Sequence, residues 1–134
     1  MGWRADYVAS HGFVETHYEG VLSREDLGAA IERTLALSRE HDTTLFLGDC
    51  SRLEGGHDIF TLYGFVRLLE SLGLVGRFKE ALIMPTLAAP ARDVEFWETA
   101  CLNRGLLVRV FPDRESACDW LCQRPYFVQP LNPA

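Results

Sequence analysis

Apolar and polar residues alternate from Trp3 to Ala9, with Trp3, Ala5, Tyr7 and Ala9 on one side. Ser10-His11-Gly12 supplies turn chemistry, and a second run follows from Phe13 to Glu19, so the chain opens as a β-hairpin. In that second run Val14, Thr16 and Tyr18 oppose Glu15, His17 and Glu19, the pattern of a sheet with one wet face. The period then lengthens. Leu27, Ile31, Leu35 and Ser38 recur at helical spacing, with Ala30 and Thr34 beside them, and predict a helix to about His41. Ser23 is its N-cap, with Glu25 and Asp26 favouring the positive end.

Thr43 to Leu47 is nearly all apolar and reads as a short strand buried on both faces. Asp58 caps a second helix that ends near Gly73. Phe78 to Met84 is the next strand, stopped by Pro85; Pro90 stands in the first turn of a helix through Arg104. Leu106 to Phe111 is the last strand, and Pro112-Asp113 opens a short helix to about Cys122. The order ββαβαβαβα, with right-handed crossovers, predicts a layered α/β domain.

A chain of 134 residues with 48% apolar content is one domain's worth of core. The predicted domain spans 1–124, and 125–134 is a tail whose three prolines exclude a regular helix. A formal net charge of −6 without any Lys/Arg cluster argues against nucleic acid. No window approaches the length of a membrane span, and the N-terminus lacks a signal-peptide core, so the expected location is cytoplasmic. Cys50, Cys101, Cys118 and Cys122 have neither zinc-knuckle nor disulfide-scaffold spacing and read as reduced, packed thiols. Neither a metal nor a cofactor is called for.

Three segments carry a resemblance: "YEGVLSREDL" at Tyr18 to Leu27, "LFLGDCSRLEG" at Leu45 to Gly55, and "VRVFPDRESACDWL" at Val108 to Leu121. With the element order, they resemble the SpoIIAA-like small proteins of the STAS superfamily, related in fold to anti-anti-sigma factors and the C-terminal lobe of Sec14-type lipid carriers. The resemblance implies a mixed sheet of about five strands with an N-terminal hairpin and four helices largely on one face. It implies little chemistry, and the expected role is a non-enzymatic, STAS-like protein-interaction or regulatory module, with a small-molecule or lipid binder or minor enzyme as the alternative. The family's phosphoacceptor serine has no counterpart, because Arg52 to Asp58 contains no hydroxyl residue. The Sec14 relationship implies lipid binding by analogy alone.

Two kinds of candidate site follow. Pockets in open α/β sheets form beyond the carboxyl ends of parallel strands, which places Asp49, Ser51, His57 and Thr86 around one crevice for a small ligand. A nucleophilic reading would use Cys50 or Ser51 with His57 as base; the simpler reading has Asp49 and Ser51 bonding turn amides and Cys50 buried. His17, between Glu15 and Glu19, could join them in binding a cation, but the simpler reading is a solvated face. The second kind is an interface. The helix from Asp58 has too many apolar residues for one stripe, which nominates Phe60 and Tyr63, with Phe96, Tyr126 and Phe127, for a homodimer or a protein partner.

Overall fold

The computed structural model describes residues 2–56 and 58–123. Strands β1 (Trp3–Val8) and β2 (Phe13–Val21) form the expected hairpin, with Trp3 opposite Tyr18 and Val8 opposite Phe13. Strands β3 (Leu45–Gly55), β4 (Lys79–Ile83) and β5 (Leu107–Phe111) follow in spatial order β1-β2-β3-β4-β5. All pairs after the hairpin are parallel, as strand-helix-strand crossovers require.

Helices α1 (Arg24–His41), α2 (Ile59–Ser71), α3 (Ala88–Leu102) and α4 (Arg114–Leu121) fill the crossovers and close the chain. Their starts are written locally. Ser23 and Asp26 form a reciprocal capping box, Asp58 accepts from the Thr61 amide and Asp113 from the Ser116 amide.

Alternate strand residues feed two cores. Val14, Phe46, Cys50, Leu82 and Val108 pack with residues of α1, α2 and α3, including Leu35, Val66, Leu69, Val94 and Cys101. Phe13, Leu47, Ala81 and Ile83 meet Ala117 and Leu121 of α4 on the other face. Three helices on one side and a single short one on the other is the asymmetry the SpoIIAA-like resemblance implies.

The strand expected to stop at Leu47 runs on to Gly55, so Asp49, Cys50 and Ser51 lie within β3. The cause is β2, which pairs with β3 as far as Val21 opposite Gly55, through irregularities between His17 and Glu19 and between Gly20 and Val21. β4 accompanies β3 only to Ile83 opposite Asp49. Gly56 then lets the chain cross the start of α1: at φ +108° its missing Cβ would sit 2.0 Å from the Leu22 carbonyl oxygen.

Candidate functional site

Asp49 and Ser51 share the sheet face under α4. Asp49 Oδ1 accepts the Ser51 amide at 3.0 Å and the Ser51 hydroxyl at 2.7 Å. Its other oxygen lies 3.4 Å from His17 Nδ1, and His17 Nε2 lies 2.8 Å from Glu15 Oε2. Arg114 of α4 completes the cluster, donating Nη2 to Glu15 Oε1 at 2.8 Å and Nη1 to Oε2. This corrects the reading of His17 as solvated: Glu15 is only 7% exposed and His17 is bracketed by two carboxylates. Burial pushes the Glu15 carboxyl up, but Arg114 and His17 outweigh it and leave it below the ordinary value.

Thr86 is exposed in the connection beyond β4, and no hydrogen bond joins it to Asp49 or Ser51 among the described residues. His57, Tyr126 and Phe127 lie outside the described residues. Of the proposed interface positions, Phe60 is 88% exposed, while Tyr63 is contacted by Arg104, whose guanidinium lies 5.2 Å from its ring and donates to its hydroxyl. Phe96, nominated for the same interface, is half-buried against the larger core.

The opposite sheet face holds a feature that pattern reading missed. Between it and helices α1 to α3 lies a cavity of about 90 Å³. Its walls are aliphatic residues such as Leu27, Leu35, Leu62 and Leu82, with the rings of Tyr18, Phe46, Phe78 and Trp97. Phe46 and Phe78 stack with centroids 4.8 Å apart. Into this apolar space β4 places Glu80, which takes one hydrogen bond, from Trp97 Nε1 to Oε1 at 2.9 Å. Burial raises the Glu80 carboxyl from 4.5 to about 7, against the lowering effect of the Trp97 hydrogen bond.

Around Glu80 the Tyr18 hydroxyl and the Cys50 and Cys101 thiols are held protonated. Burial, then the Glu80 charge, lifts the Tyr18 hydroxyl well above its ordinary value, and burial pushes the Cys50 and Cys101 thiols up. A thiol shifted that way is a poor nucleophile. The overlooked signal was Lys79-Glu80: two charged neighbours in an otherwise apolar strand point to opposite faces, so each sheet face receives one charged group. Lys79, 1% exposed, goes the other way, donating to the Trp120 carbonyl at 2.9 Å beneath α4.

Among the described residues, no group of three or more His, Cys, Asp or Glu side chains is placed to hold a metal ion. No helix there is long and apolar enough to cross a membrane.

No known protein-family profile matches the chain, and no curated protein does. A solved structure does: an uncharacterized protein of the DUF3478 family with a SpoIIAA-like fold, from Shewanella loihica PV-4. It aligns over 90% of this chain and 92% of its own with a TM-score of 0.57 at 19% identity. That likeness establishes the SpoIIAA-like fold.

Proposed function

We propose that this protein is a non-enzymatic binding module that holds a small, largely apolar molecule between helices α1 to α3 and the sheet. The observation that carries the reading is the cavity itself. A space of about 90 Å³ with largely aliphatic and aromatic walls lets a small apolar molecule bury its surface against them. A few polar groups within apolar walls are the usual make-up of a ligand pocket. The protonated Cys50 thiol favours binding over nucleophilic chemistry there. This shifts the small-ligand reading from the Asp49–Ser51–His57–Thr86 crevice to the other sheet face.

Native mass spectrometry of freshly purified protein, compared with the denatured mass, tests it. A mass excess that disappears on denaturation is expected. A bare protein whose Trp97 indole N–H resonance also ignores millimolar n-butanol would overturn the reading.

A protein-interaction role rests on a separate observation. Ile59, Phe60, Leu68 and Leu72 of the α2 region are 54%, 88%, 39% and 47% exposed, more apolar surface than a helix leaves in water without cause. A second copy of this chain, bound through α2 as a homodimer in the cytoplasm, is the partner this reading names.

A further inference from the structure

The cavity has an electrical sign. Glu80 projects into it, and no lysine, arginine or histidine lines it. Trp97 satisfies one Glu80 oxygen, and no donor among the described residues reaches the other. Gly48 makes room for the neighbouring Leu82, since a Cβ there would stand 2.5 Å from Leu82 Cδ2. The Tyr18 hydroxyl, deep in the molecule, also makes no hydrogen bond among the described residues. Four aromatic residues also line the space, with the Trp97 ring edge toward Glu80 and Phe46 and Phe78 stacked on each other.

Resting on the cavity-binding reading above, we propose that the ligand is a small protonated aliphatic amine. Its ammonium sits against Glu80 and Tyr18 among the aromatic rings, and its hydrocarbon lies against the leucines. An ammonium supplies several donors, enough for the open Glu80 oxygen and the Tyr18 oxygen together. A carboxylate ligand would face Glu80 with no cation between them, a repulsion that a dry site amplifies. An alcohol of equal length would bond Glu80 without the help of charge.

The groups facing Glu80 are Tyr18 from β2, Cys50 from β3, and Asp93 and Cys101 from α3; α1 and α2 contribute apolar residues and Thr34 to the cavity. None of these supplies a positive charge, so binding a cation favours the ionised Glu80. Amine affinity therefore rises as Glu80 loses its proton.

The test uses n-butylamine, n-butanol and butyrate on the intact chain, read by calorimetry and by the Trp97 indole N–H resonance. At about pH 8 the amine is expected to bind at least about tenfold more tightly than the alcohol, with butyrate weakest, and the preference to shrink at about pH 5.5. Glu80→Gln is expected to abolish that preference, bringing the amine down to the level of the alcohol or below it. Butanol or butyrate matching the amine, or an amine preference that survives in Glu80→Gln, would overturn the inference and leave the cavity reading standing. Failure of all three to move the Trp97 resonance would remove both. The comparison of head groups needs only the wild-type protein, so it stands even if Glu80→Gln folds poorly.

Discussion

Glu80 and Glu15 are both carboxylates on the sheet, yet their surroundings push them in opposite directions. Glu80 has one neutral donor in an apolar cavity and rises to about 7, whereas Glu15 has a guanidinium and falls. The pH dependences oppose accordingly. Between 4.5 and about 7 the native state keeps a Glu80 proton that the unfolded chain has released. The stability Glu80 contributes is thus full below 4.5 and is lost as pH rises through about 7, with a slope no steeper than about 1.4 kcal/mol per pH unit. Glu80→Gln should flatten that limb in urea titrations across the range; an unchanged limb would place the proton elsewhere. Glu15 is the converse case, stabilising above its unfolded value and losing that contribution as pH falls through its lower folded one. Arg114→Ala leaves a buried acceptor without its charged partner and should cost about 1–3 kcal/mol in denaturant melts at neutral pH.

Helix α2 shows how one element divides its labour. Leu62, Val66 and Leu69 recur at helical spacing and are buried, while Ile59, Phe60 and Leu68 point outward. Truncation should separate the two sides. Leu69→Ala opens a hole in the larger core and is expected to cost about 2–5 kcal/mol, whereas Phe60→Ser should stay within about 0.5 kcal/mol. If the α2 surface joins two copies, sedimentation will show Phe60→Ser as more monomeric than the parent at equal stability. A large loss of stability in Phe60→Ser would mean that the ring is covered within its own chain. The same helix was legible as an excess of apolar residues, because a helix can show a partner only one arc of about 100°.

For the molecule as a whole, the sheet is a partition with different chemistry on its two sides. One side has charge pairs beneath α4; the other has three helices around a space they do not fill. A molecule that enters that space binds the native state alone, so it should stabilise the fold by about 1.4 kcal/mol at ten times its Kd and raise Tm by a few degrees. Thermal melts with increasing n-butylamine or n-butanol measure this directly. A Tm that never rises with either compound would argue that the helices do not close on such a ligand.

The sequence by itself determined the nine elements and their order, the Ser23, Asp58 and Asp113 caps, and the parallel pairing that crossovers impose. These rest on periodicity and on hydrogen bonds between residues a turn apart, so local reading reaches them. It placed Asp49 and Ser51 together as well, two residues apart and joined by hydrogen bonds. Only the tertiary structure decided that β3 continues to Gly55, because that depends on how far β2 accompanies it. Only the structure joined Glu15 to Arg114 across 99 positions, and Trp97 to Glu80 across 17. The cavity is the extreme case. A space is bounded by side chains from three strands and three helices, and no pattern along the chain encodes the volume that their packing leaves empty.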